Sequence, residues 1–219
     1  MTQHAPLFIV LLPVSAALLC MLFSRIQKNL GSWIVIASIA GAFLSAVSSL
    51  QQVIADGGKA LHYWMGNWQP PLGIEFVIDP ISGALAVLIT FIALLGSLYS
   101  LPFVKEEGWL HIGGYYTLYG LMTVGMCGMV ITGDVFNLYV FLEVMSLSGY
   151  GLIAIGGKKS MLAAFRYLLI GTIGASLYLL GVGYMYALTG TLNMADMAVR
   201  AAEFLNYPLF ALALACFVV

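Results

Sequence analysis

Residues 133–156 read GDVFNLYVFLEVMSLSGYGLIAIG. Between Asp134 and the Gly156-Gly157 pair, a single charged residue, Glu143, interrupts a continuously apolar run. A helix crossing a bilayer needs ~20 mostly apolar residues to span ~30 Å of hydrocarbon, and this run meets that length. A membrane strand would alternate apolar and polar positions, which this stretch does not do. The run therefore reads as a transmembrane helix that starts at an Asp cap and ends at glycine.

The same reading holds on both sides of it. Apolar runs of spanning length lie at 6–24, 31–54, 80–103, 111–132, 135–156 and 161–188. A seventh begins at Pro208, a residue suited to a first helical turn. It continues as LFALALACFVV to Val219, and a helix over that stretch rises only ~18 Å. The expectation is a helix cut off inside the membrane, in a fragment or in a chain continued by a separate polypeptide. Of the 219 residues, 62% are hydrophobic and 8% charged, where a soluble domain carries about 25% charge. That composition excludes a soluble enzyme and a disordered chain. A net charge of −1 without a basic block excludes nucleic-acid binding. Cys20, Cys127 and Cys216 lie in apolar runs far from any histidine, so neither a zinc site, a disulfide framework nor a haem or iron–sulfur pattern is present. No catalytic residue, metal or cofactor is expected. The fold class is all-α: a polytopic bundle of six full spans plus the start of a seventh. Residues 1–110 form three leading helices with an outer loop at 55–79, and residues 111–219 hold helices 4 to 7, the last of them truncated.

Charge placement orients the bundle. Arg25, Lys28, Lys105, Lys158, Lys159 and Arg166 fall at one set of helix ends, and Lys59 and Arg200 at the other. The positive-inside rule puts the first set in the cytoplasm and the N-terminus outside. Arg25 and Lys28 follow the first apolar run instead of preceding it, so that run is an uncleaved helix and not a signal peptide. Asp79-Pro80 supplies an N-cap and a first-turn proline, and Gly133-Asp134 joins two helices with almost no loop. In the outer loop, HYWMGNWQPPLGIEFVID places bulky residues around Gly-Asn and Pro-Pro, which predicts a short hairpin on the outer surface. Trp64 and Trp68 suit an interfacial belt, and His4, His62 and His111 read as interfacial.

Glu143 stands nine residues after Asp134, ~13 Å deep and close to the midplane. A carboxylate there costs at least a few kcal/mol and has to face protein or water. Tyr139, Ser146 and Tyr150 share its side of the helix at i−4, i+3 and i+7. The functional reading is a proton-transfer carboxylate whose protonation answers to a neighbouring cation; the structural alternative is a protonated, hydrogen-bonded Glu. Proton-pathway candidates are Glu143, Tyr139, Ser146 and Asp134, the last at the outer mouth of a path or simply a cap. Charge-partner candidates are Arg166, ~8 Å inside the sixth helix, and Lys158 and Lys159 in the GGKKS loop. Arginine stays protonated, so Arg166 tunes a neighbour or snorkels but does not relay protons. Gly120, Gly125 and Gly128 on the fourth helix, and Gly171, Gly174, Gly181 and Gly183 on the sixth, are expected at close helix contacts.

GDVFNLYVFLEVMSLSGYGLIA, followed by AAFRYLLIGTIGASLYLLGVGYMYALTGTLNMADMA, resembles the D-type component of Mrp-type multisubunit cation/proton antiporters. That component is similar to the antiporter-like subunits of respiratory complex I and of membrane-bound hydrogenases. GNWQPPLGIEFVIDPISGALAVLI resembles the segment leading into their third helix. The resemblance implies the N-terminal portion of an antiporter-like fold. It implies that Glu143 is the essential proton-pathway glutamate, paired in the family with a lysine in a broken seventh helix. Relatives often carry lysine where this chain has Arg166. The transported ions implied are protons and sodium, in the prokaryotic cytoplasmic membrane, among other membrane subunits. Three functions stand open: a proton-translocating antiporter subunit, an antiporter-like subunit of a quinone or hydrogenase complex, and a truncated structural subunit that transports nothing.

Overall fold

The computed structural model describes residues 4–27, 29–104 and 109–218; Lys28, Lys105, Glu106 and Glu107 lie outside them. In chain order the elements are α1 (Ala5–Ile26), α2 (Leu30–Ala55), β1 (Leu61–Trp64), β2 (Glu75–Ile78), α3 (Pro80–Val104), α4 (Trp109–Ile131), α5 (Val135–Ala154), α6 (Lys158–Thr189), α7 (Met194–Ala201) and α8 (Pro208–Val218). Helices α1 to α6 are long and apolar enough to cross a membrane, and α8 is a shorter apolar helix. Each of the six expected spans is one helix. The expected polar stretch after α6 contains α7, which the sequence reading left without structure. The start of α6 lies three residues before the expected position, because Lys158 to Ser160 are already helical.

Helix α3 is inverted relative to a helix of a soluble bundle. On α3 the buried face is Gly83, Ala86, Thr90, Ala93, Ser97 and Ser100, small residues at helical spacing. Leu88, Ile92, Leu95 and Tyr99 are exposed on its outer side. Between helices in lipid there is no gain in hiding leucine, so close packing falls to small side chains. The buried hydroxyls find acceptors on their own helix: Thr90 Oγ1 donates to the Ala86 carbonyl at 2.7 Å and Ser97 Oγ to that of Leu94 at 2.8 Å.

Helix α4 is the hub, packed against α1, α3 and α5. Thr117 Oγ1 donates to the Ala17 carbonyl on α1 at 3.2 Å, and Tyr119 OH to the Ala93 carbonyl on α3 at 3.0 Å. Gly120 lies so close to α1 that a β-carbon there would sit 3.2 Å from that of Ala17. Gly125 faces the Met145 backbone of α5, and Gly128 faces the ring of Phe141. Beyond α5 the order continues through α6 to α8.

On the outer side, the expected hairpin is present. β1 and β2 pair antiparallel, with Leu61 opposite Ile78 and Trp64 opposite Glu75. Gly66 and Asn67 both take φ of 63°, a left-handed turn that glycine and asparagine tolerate. Single bridges extend this ladder from Phe76 to Thr132, and from Asp134 to Asn193. The hairpin, the α4–α5 turn and the α6–α7 connection thus lie side by side over the outer helix ends.

Asp79 caps α3 as expected. Its Oδ1 accepts from the Ser82 amide at 2.6 Å, while the Asp79 amide donates to Ser82 Oγ at 2.8 Å. The Ser82 amide holds the Asp79 carboxyl below the usual carboxylate range, with the Ser82 hydroxyl adding to it. A lowered value means that the ionised form stabilises the fold at neutral pH, and that this contribution is lost as pH falls through it. Asp79→Ala is expected to cost about 1 kcal/mol at neutral pH, with the difference shrinking in acid. Detergent-phase unfolding of the two proteins at neutral and acid pH measures this.

Candidate proton-pathway site

Helix α5 begins at Asp134, whose Oδ1 accepts from the Asn137 amide at 2.7 Å. Asn137 is fixed in turn by its Nδ2 donating to Thr132 Oγ1 at 3.0 Å. Asp134 is therefore a cap, and a buried one. Burial pushes its carboxyl above the usual range, against the opposing pull of the Asn137 and Phe136 amides. For a carboxyl raised in the fold, the ionised form costs stability at neutral pH, and the cost is relieved as pH falls through the raised value. Asp134→Asn keeps the capping oxygen and removes that charge. It is expected to be as stable as wild type or more so at neutral pH, while Asp134→Ala loses about 1 kcal/mol. Thermal unfolding of both variants in detergent checks the order.

From this cap the stripe Tyr139, Glu143, Ser146 and Tyr150 runs along the side of α5 turned to α6. Tyr139 stacks on Tyr178 of α6, with ring centroids 6.5 Å apart and planes 7° apart. Tyr178 OH donates to the Val135 carbonyl at 3.3 Å, and its ring packs on Phe217 of α8 at 5.1 Å. Two turns and more further along, Tyr150 is buried with its hydroxyl against Gly171, and its ring meets Tyr167 edge-on at 4.7 Å. The two helices are antiparallel, so Glu143, between Tyr139 and Tyr150, is level with the α6 residues between Gly171 and Tyr178.

At that level α6 carries Gly174, on the same face as Gly171 and Tyr178 by its i+3 and i−4 spacing. A β-carbon at Gly174 would meet nothing within 4 Å. Tyr139–Tyr178 and Tyr150–Gly171 thus pack across the interface on either side of this level. Glu143 itself is half-buried, and among the described residues no hydrogen bond or ion pair reaches its carboxylate. Ser146 lines a mostly apolar cavity of about 400 Å³ with Met122, Met145, Gly149, Leu152, Ile153 and Tyr167.

The charge-partner candidates lie elsewhere. Lys158 and Lys159 are exposed in the first turn of α6. Arg166 is exposed as well, eight residues or ~12 Å along the helix from Gly174. Among the described residues it forms no ion pair. The structure brings Tyr139 and Tyr150 against α6, with Tyr139 on Tyr178, and leaves Lys158, Lys159 and Arg166 exposed in the first part of α6. Among the described residues, no group of three or more His, Cys, Asp and Glu side chains is placed to hold a metal.

The sequence reading did not single out Glu75. Its side chain is 6% exposed, and Oε1 accepts from Asn193 Nδ2 at 2.8 Å. Oε2 faces Trp64 Nε1 at 3.3 Å and His62 Nδ1 at 3.4 Å. His62, read as merely interfacial, has this carboxylate as a partner. The sequence carried one signal, a Glu heading the apolar strand EFVI, but not the partner 118 residues away.

Residues 132–219 match the family described as NADH:quinone oxidoreductase/Mrp antiporter, TM. The N-type component of the NADH-quinone oxidoreductase of Desulforudis audaxviator is 43% identical over 214 residues, which cover 98% of this chain and 42% of that protein. The D-type component of the Na(+)/H(+) antiporter of Bacillus subtilis is 33% identical over 195 residues, 89% of this chain and 38% of that one. Among solved structures, a chain of the membrane-bound sulfane sulfur reductase, an archaeal respiratory membrane complex, superposes with a TM-score of 0.90 at 31% identity. The match covers 99% of this chain and 43% of that one. A chain of the Mrp complex from Dietzia sp. DQ12-45-1b gives 0.75 at 26% identity, over 98% of this chain and 40% of that one. The chain spans about two fifths of the length of these relatives. Together with the six spans, this makes it a multi-pass membrane protein, in a prokaryote one of the cell membrane, that belongs to the antiporter-like subunits of the Mrp antiporter and NADH:quinone oxidoreductase family.

Proposed function

We propose that this chain supplies part of a proton path in a multisubunit Mrp-like or complex I-like assembly, with Glu143 as the residue that takes up and releases the proton. The observation that carries the reading is a half-buried carboxylate near the middle of a membrane helix, with no ion-pair partner among the described residues. Leaving a charge there without a use is costly. Tyr139 and Tyr178 lie on its outer side and Tyr150 on its cytoplasmic side, so their hydroxyls and trapped water are the groups available to a departing proton. Asp134, Ser146 and the cations Arg166, Lys158 and Lys159 serve as the ends of the path or its electrostatic setting. Sodium as the coupled ion rests on the likeness to the Na(+)/H(+) antiporter component. The partners are the other membrane subunits of such an assembly and the surrounding lipid.

The driving process has two readings. The higher identity to an NADH-quinone oxidoreductase component, and the closer superposition on a respiratory sulfane sulfur reductase chain, favour a redox-driven complex over ion exchange. Purifying the assembly and testing whether an electron donor or a sodium gradient drives proton movement separates them. In either case Glu143→Gln in the assembled complex, measured in inverted membrane vesicles, tests the role of Glu143. Full proton movement in that variant would overturn it.

A further inference from the structure

Glu75 is a charged residue buried outside the spans, and the arrangement around it has a direction. Its own carbonyl accepts from the Gly133 amide at 3.0 Å, so β2 lies alongside the α4–α5 turn. Its side chain then crosses over that turn to reach Asn193 on the far side. The crossing is possible because residue 133 is glycine: a β-carbon there would sit 3.0 Å from Glu75 Cγ and 3.2 Å from Oε1. Asn193 is in turn the cap of α7, its Oδ1 accepting from the Ala195 and Asp196 amides at 3.1 Å each. Backbone bonds complete the seam, Val135 N to the Leu192 carbonyl at 3.0 Å and Met194 N to that of Gly133 at 2.9 Å. On the other side, Trp64 and His62, two apart on β1, both turn toward Oε2.

We infer that Glu75 is a positioning residue for the proton carboxylate: one side chain pins the outer hairpin and the cap of α7 across Gly133, next to Asp134, and so fixes where α5 begins. Since α5 is continuous from Val135, its start sets the level of Glu143 against α6. This rests on the reading of Glu143 given above. Truncating Glu75 removes the acceptor for Asn193, Trp64 and His62 together. Truncating Asn193 removes only one arm and the α7 cap.

The test uses the assembled complex in native membranes, with two readouts. The first is proton movement as a function of pH in Glu75→Ala, Glu75→Gln and Asn193→Ala, beside Glu143→Gln in the same vesicle preparation. The second is the distance distribution between spin labels at Asn67→Cys on the hairpin turn and Val199→Cys on α7; the native cysteines are buried. Glu75→Ala is expected to lower proton movement at least fivefold, to displace its pH profile and to broaden the distance distribution. Glu75→Gln, which keeps an oxygen for Asn193 Nδ2, restores most of both. The Glu75→Ala, Asn193→Ala double variant should be little worse than Glu75→Ala. A narrow distribution and unchanged pH profile in Glu75→Ala, with Glu143→Gln inactive, would overturn the positioning role and leave Glu143 standing. An active Glu143→Gln would instead remove the proton reading, while the label distances still report whether Glu75 holds the seam.

Discussion

Glu143→Gln is expected to lower proton movement through the assembled complex at least tenfold while leaving assembly and membrane insertion unchanged. Glutamine matches glutamate in volume and keeps a carbonyl acceptor, so the packing of Tyr139, Tyr150 and Tyr178 has no reason to change. What disappears is the exchangeable proton. On the proposed reading the carboxyl group takes up and releases a proton at each turnover. An amide cannot. Glu143→Asp keeps the chemistry but withdraws the carboxyl toward α5 by one methylene. It should therefore retain part of the activity, between wild type and Gln. Proton uptake by inverted vesicles at matched protein levels measures all three.

The second large effect is steric. Gly125→Leu is expected to abolish accumulation of folded protein, because a β-carbon at 125 already falls 2.6 Å from the Met145 Cβ and amide nitrogen and 2.7 Å from the Phe141 carbonyl. These atoms are backbone or a β-carbon fixed to it, so α5 has to move away as a rigid body, and Glu143 with it. Overpacking of a tight core typically costs about 1–3 kcal/mol, and a backbone obstacle puts this site at the upper end. Gly128→Leu, against the Phe141 ring, should behave similarly. Gly114→Ala and Gly183→Ala are the matched controls: nothing lies within 4 Å of a β-carbon at either, and both should accumulate normally. Membrane-fraction yield and monodispersity in detergent discriminate the two groups.

Most of this bundle is written locally. Each span announces itself by length and composition, and Asp79 and Asp134 mark helix starts because capping uses a side chain three residues from its donor. The hairpin was legible for the same reason, from Gly66-Asn67 between bulky residues. Helical spacing put Tyr139 and Tyr150 on one side of α5, and both meet α6. The misses are those that local pattern cannot carry. α7 is eight residues of mixed polarity, held by the Asn193 cap and the seam with Gly133, and it looks like loop until those contacts exist. Glu75 reads as an ordinary strand residue because its partners come from distant segments. The distance between Arg166 and Glu143 depends on how α5 and α6 are registered, which Tyr139–Tyr178 and Tyr150–Gly171 set. Sequence spacing holds no information about that register.

In the proposed mechanism Glu143 itself changes protonation during turnover. Infrared difference spectroscopy of the complex in membranes, between its resting and energised states, reads this directly through the carbonyl stretch of a neutral carboxyl group. Wild type is expected to show such a band, sensitive to exchange into heavy water, and Glu143→Gln to lose it with the rest of the spectrum retained. A band of equal size in Glu143→Gln would place the changing proton on another residue and overturn the role of Glu143.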